Sequence, residues 1–205
     1  MATKKNIIVG AASLYIGPSW DGNGTSPAPD FPVSDTDSYR PEVVADEDWT
    51  DIGYTTDGLT VGNDPSFTDV QVDQLLDAAK IFKDSMGFSV STTLVEATLL
   101  NLLIVWGQSE GSLSSSGLTK TLDVEGGGLG DAPLERGLIA VGNAPEKVSS
   151  NDYGERSYHV FRVLSVEGAE HSLSRSEATA FPVSFRALPA DNTRYGTIVD
   201  RMGVA

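Results

Sequence analysis

The chain has 205 residues, enough for one large β-domain with a substantial core. Its 14 basic residues against 29 acidic ones give a net charge of −15, which argues against binding nucleic acid by phosphate neutralisation and reads either as plain solubility or as a surface that must not hold DNA. There is no cysteine, so disulfides, thiolate metal sites and cysteine nucleophiles are excluded, and no apolar run reaches the roughly 18 residues a membrane span needs.

Lys4 and Lys5 before an apolar stretch resemble the start of a signal peptide. Ile8, Leu14 and Ile16 fall on one parity, however, and predict a strand over 7–16. Asn23-Gly24-Thr25 fits a glycosylation acceptor pattern, which carries little weight without secretion. The segment 17–48 differs in character. It holds five prolines, Pro18, Pro27, Pro29, Pro32 and Pro41, which bar regular structure. Nine acidic residues lie between Asp21 and Asp51 against one base, Arg40. Trp20, Phe31 and Tyr39 punctuate it, more aromatic content than a spacer needs. They are the candidate inter-ring or inter-subunit anchors of a long early loop.

Trp49 to Val61 reads as a hairpin turning at Asp57-Gly58. Phe67 to Gln74 reads as a strand with Val70 and Val72 on one face and Asp69, Gln71 and Asp73 on the wet one. Lys80 to Lys83 is a short strand or a turn. Met86 to Thr92 alternates, with Phe88 and Val90 inward and Ser89 and Ser91 outward.

A helix follows over about 94–106. Thr93 and Glu96 match a capping box, and Gly107 can close the C-terminus in a left-handed conformation. Val95, Leu99, Leu102, Leu103 and Trp106 recur at helical spacing as its packing face. Leu100 and Ile104 widen the arc, so the helix is covered on more than one side, by the sheet and by a neighbouring subunit.

Beyond the helix, strands are predicted at Leu118–Glu125, Leu134–Val141, Tyr158–Val166 and Thr179–Leu188, with a short terminal segment at Tyr195–Val199. The Gly/Ser-rich stretch 108–117, the glycine run 126–130 and residues 143–154 connect them. Tyr158–Val166 is apolar on both parities and should be central and sandwiched. Phe181, Val183 and Phe185 share one face of the last long strand. No internal repeat or domain boundary interrupts residues 1–205.

Chemistry is mostly absent. Of the two histidines, His159 falls in a predicted strand and His171 in a turn, and no G-x-S-x-G elbow accompanies them. The glycine run lacks the Lys-Ser/Thr of a phosphate loop and precedes no helix. Asp35-Thr36-Asp37 and Asp46-Glu47-Asp48 offer oxygens to a calcium ion but fail the EF-hand spacing. The expectation is no enzyme, no cofactor and no metal.

Three stretches carry a resemblance. Asp51-Ile52-Gly53-Tyr54, an aspartate-x-glycine-aromatic step before a glycine, opens one. Met86 to Gly107 is a strand-then-helix element with Glu96-x-Thr98 at the helix start. In Phe181 to Asp200 an Ala187-Leu188 step precedes a last short strand. Together these resemble the major tail tube protein of long-tailed, siphovirus-type bacteriophages. The resemblance implies a mainly β, sandwich or barrel-like tail tube fold with one helix. It also implies a structural virion protein that joins edge to edge in a ring, usually of six, with rings stacked into a tube.

Tape measure, terminator and baseplate proteins are the implied partners. DNA passes through the lumen unbound, and no membrane is involved. Assembly takes place in the host cytoplasm. The lumen-facing acidic candidates are Asp69 and Asp73. The long Pro-rich segment departs from the family pattern. A tail terminator or capsid decoration protein of related fold, and a secreted carbohydrate-binding β-sandwich, are the alternatives.

Overall fold

The computed structural model describes residues 11–19, 31, 40, 49–147, 153–166, 170–171, 173, 175, 178–190 and 194–201. The strands are β1 (Ser13–Ile16), β2 (Thr50–Asp51), β3 (Thr55–Val70), β4 (Lys80–Leu94), β5 (Leu113–Ser116), β6 (Thr119–Leu122), β7 (Arg136–Lys147), β8 (Tyr153–Ser165), β9 (Phe181–Ala187) and β10 (Gly196–Arg201). The helix α1 (Leu99–Val105) and a 3-10 turn at Glu110–Ser112 lie between β4 and β5. The fold is mainly β. One large antiparallel sheet runs β2-β1-β7-β8-β9-β4-β3, and β5 with β6 forms a separate hairpin.

β7 takes one edge of β8. β9 pairs with Val163–Ser165 and β10 with Glu155–Val160, so the two follow one another along the other edge. Burial matches this central position. Val160 and Val163 point to one face, while Ser157 and His159 are buried on the other.

The main core shows that the sheet is curled. β1 and β4 stand four lanes apart, about 19 Å across a flat sheet. Yet Leu14 and Ile16 of β1 share one buried cluster with Val90 and Leu94 of β4 and with Leu103, Ile104 and Val105 of α1. The sheet wraps around the helix, which packs against β9 and the β5–β6 hairpin. A second cluster lies on the opposite face, where Tyr15, Trp49, Ile139 and Val141 are covered by Phe31 and Val199.

The helix is shorter than its sequence suggests. Thr93 belongs to β4, paired with Thr56 and Pro182. Thr98 is the actual N-cap: its side chain accepts from the Asn101 N–H at 3.1 Å. Val95 therefore precedes the helix, and the Glu96 carboxylate accepts from the Tyr54 N–H at 3.1 Å rather than completing a capping box. Tertiary pairing of Thr93 with β9 wins over the local signal.

The C-terminus follows the expectation. Gly107 sits at φ +65, its N–H bonds the Ile104 carbonyl, and the Gln108 N–H bonds the Leu103 carbonyl. That is a Schellman closure, which glycine adopts without steric cost.

Trp49–Val61 is not a hairpin. Thr55–Val70 is one continuous strand, and the Asp57-Gly58 pair forms a bulge within it, three residues opposite Thr92 alone. Gly58 takes φ +73 there and its carbonyl accepts from the Thr92 hydroxyl at 2.8 Å. Of the predicted strand at 67–74 only Phe67–Val70 is strand, the far end of β3, with Val72 already in the turn, and the strand or turn expected at 80–83 is the far end of β4.

Asn101 breaks the apolar arc of α1 for a structural reason. It is buried, and its amide donates to the Ile52 carbonyl at 3.0 Å and the Glu96 carbonyl at 2.9 Å. Those bonds join the helix to the segments before and after the long β3–β4 pair. Asn101→Ala should cost about 2–3 kcal/mol in urea unfolding, because it strands two carbonyls. Thr98→Ala should cost about 1 kcal/mol through the lost cap.

Candidate assembly interface

Among the described residues, no group of His, Asp and Glu could hold a metal ion, and no helix is long and apolar enough to cross a membrane. The Asp35–Asp37 and Asp46–Asp48 groups fall outside the described residues. His171 sits between the rings of Trp106 and Phe181, with centroids 5.9 and 4.9 Å away.

His159 is buried beneath Phe31, whose ring stacks on it at 4.8 Å with an interplanar angle of 16°. Burial alone pushes its pKa down to about 4, so the ring is neutral at pH 7. Phe31 also packs on Trp49 at 5.2 Å and on the Phe161 edge at 5.4 Å. Of the three loop aromatics, Phe31 therefore covers its own sheet. Trp20 and Tyr39 lie outside the described residues.

Arginines tie the sheet together. Arg136 is buried on β7 and donates to the Gln108 carbonyl at 2.8 Å, the Gly17 carbonyl at 3.4 Å and the Glu110 carboxylate. Ser19 donates to Glu110 from the other side. Partial burial opposes ionisation of Glu110, but the Ser19 hydrogen bonds and the Arg136 charge outweigh it and hold the carboxyl below its usual range. Arg162 forms a fork with Glu135 at 2.5 and 2.7 Å and reaches the Pro189 carbonyl at 3.0 Å. Arg156 forks to Asp200 at 2.6 and 2.7 Å, clamping β10 on β8.

The unusual surface is the outer half of the β3–β4 pair. β4 bonds β9 only over Ser89–Leu94. Below Ser89, β3 and β4 continue alone, paired from Asn63↔Phe88 to Val70↔Lys80, as a two-stranded arm. Cross-strand partners share a face. Phe67 and Lys83 join Asp69 and Ile81 on one side, and Thr68 and Phe82 join Val70 and Lys80 on the other. Lys80 Nζ lies 4.7 Å from the Phe82 ring centroid. Phe67 is 59% exposed, Ile81 60%, and Leu76 at the tip is fully exposed at 111%. Apolar side chains thus face water on both sides of the ribbon. A two-stranded ribbon gains little stability alone, and an exposed apolar edge strand is a template for pairing.

Asp69 is exposed on the arm, but Asp73 lies in the turn past the end of β3 at Val70. The two do not share a strand face, because the strand ends between them. Of the helix packing candidates, Leu103 is buried, Leu102 packs against the core, Leu99 is half-buried and Trp106 is 37% exposed. The arm itself went unread in the sequence. Its signal was the pair of apolar steps, Phe67/Val70 and Ile81/Phe82, flanking Gln71–Ala79, a tip without Gly or Pro to mark the turn.

Protonating a group whose folded pKa is depressed destabilises the fold. For His159 the cost begins as pH falls below the unfolded value near 6.5 and saturates near 4, reaching about 3 kcal/mol. Glu110 acts in the same direction at lower pH, its stabilisation being lost as pH falls through the carboxylate range. His159→Phe should flatten the stability profile between pH 6.5 and 4, measured by urea unfolding at each pH. Phe31→Ala should move the His159 titration back towards 6.5, read by NMR. No protein-family model matches this chain, and no curated protein matches it.

Proposed function

We propose that this chain is the tail tube subunit of a long-tailed bacteriophage. Copies join through sheet edges into rings, six in number by resemblance, that stack into a conduit for DNA. The observation that carries this reading is the β3–β4 arm, which exposes apolar side chains on both faces and an unpaired edge. Such a surface marks an interaction site. Pairing edges between copies satisfies the free backbone groups, and ring closure leaves none over.

The net charge of −15 supports the conduit, since carboxylates repel phosphates and let DNA slide. In this reading the protein resides in the virion tail after assembly in the host cytoplasm. It meets tape measure, terminator and baseplate proteins there. The carbohydrate-binding alternative loses one of its three aromatics, since Phe31 is committed to its own sheet. A terminator or decoration protein would use similar surfaces but stop at one layer.

Electron microscopy of the purified protein at high concentration should show stacked rings or tubes. Single rings would redirect the assignment to a terminator, and a strict monomer, even alongside tail initiator proteins, would sink it. Replacing Phe67–Phe82 by an Asn-Gly turn should leave the thermal transition of the core in place and abolish stacking. Changing Asp69 to Lys should leave the fold intact and make assembled tubes retain DNA. Unaltered DNA ejection would remove this carboxylate from the path.

A further inference from the structure

At the root of the arm, the face of the sheet opposite the helix core is hollowed into a groove of 420 Å³. The register places Asp64 and Ser66 of β3, Ser85 and Ser89 of β4, and Arg186 of β9 on this one face, with Val166 forming a wall. Arg186 is exposed, and its guanidinium has no hydrogen bond or ion pair among the described residues. The other face of the same strands carries Val90 and Phe185 into the core. The groove is therefore rich in hydroxyls, carries Arg186 as its one cation and Asp64 as its one carboxylate, and is walled by Met86, Phe88 and Val166.

The tip of the arm has the complementary chemistry. Gln71–Ala79 carries Asp73 and Asp77, with no basic residue between them, and presents Leu75 and Leu76 to solvent. Tip and groove lie about ten residues apart along the ribbon, roughly 30 Å at strand rise, so the tip cannot fold back into the groove of its own copy.

We infer that the groove at the arm root receives the arm tip of a second copy. A tip carboxylate meets Arg186 and the serine hydroxyls, and the tip leucines cover Val166. The inference rests on the assembly reading above and names its contact. Because the two surfaces are different and both belong to every copy, the contact is heterologous and repeats from copy to copy. It extends an assembly rather than closing a dimer. Seating the tip removes exposed leucine from water and gives Arg186 a charge-assisted bond at the same step.

A charge exchange tests this. One variant carries Asp73→Lys and Asp77→Lys, the other Arg186→Glu. Each alone should keep the wild-type thermal transition yet stay unassembled in sedimentation, since like charges then face each other. Mixed in equal amounts, they should co-assemble: the basic tip enters the acidic groove, and the acidic tip of the other variant enters the intact one. Combining all three substitutions in one chain should also restore assembly. Wild-type assembly by either variant alone, or no recovery on mixing, overturns the inference while leaving the tube reading standing. A wild-type chain that never assembles overturns the tube reading, and the contact with it.

Discussion

Burial of β8 on both edges and both faces constrains the rest of the sheet. β7 takes one edge, and β9 and β10 divide the other, so β8 is hydrogen-bonded along both edges from Glu155 to Val163. With Val160 and Val163 facing the helix side and His159 the other, neither face can turn to water. The sheet can only curl round α1 on one side and accept a cover on the other. Phe31, packed on Trp49, His159 and Phe161, supplies that cover. Free edges are consequently pushed outward, to β2 at one end and to β3 with the lower half of β4 at the other.

Cations are scarce and are spent on structure. Arg136, Arg156, Arg162 and Arg201 each pair with a carboxylate, and Arg136 also collects two carbonyls from loops on either side of β7. Lys and Arg total 14 against 29 acids, so cations tied into the sheet leave the acidic excess to the surface. That distribution suits the proposed conduit, since carboxylates repel a polyanion. The same ties weaken in acid, where Glu110 and His159 both favour the unfolded chain.

The arm is the converse of this centre. Its backbone is bonded on one side only, and its side chains face water rather than a core. Local opening there costs little, which suits the proposed seating of its tip in another copy. The groove at its root and the acidic tip at its end place donor and acceptor surfaces at the two ends of one ribbon, a geometry suited to repetition.

Much of the fold was legible in the sequence because its periodicities are local. Alternation in Met86–Thr92 and Phe181–Phe185 marked the core faces of β4 and β9, and two-sided apolarity marked β8 as central. Gly107 announced the helix end, where one φ angle decides. Other features depended on partners distant in the chain. Thr93 satisfied a capping rule, yet pairing with Pro182 held it in a strand and left the cap to Thr98. Asp57-Gly58 satisfied a turn rule, yet β4 absorbed it as a bulge. The arm left only its two apolar steps in the sequence, and the groove left no trace, because exposure is decided by what fails to pack nearby. The sequence by itself determined the β class, the central strand and the acidic balance, which are sums or short patterns. Only the tertiary structure decided which edges stay free and which apolar residues remain outside, because both follow from the lane each strand takes in the sheet.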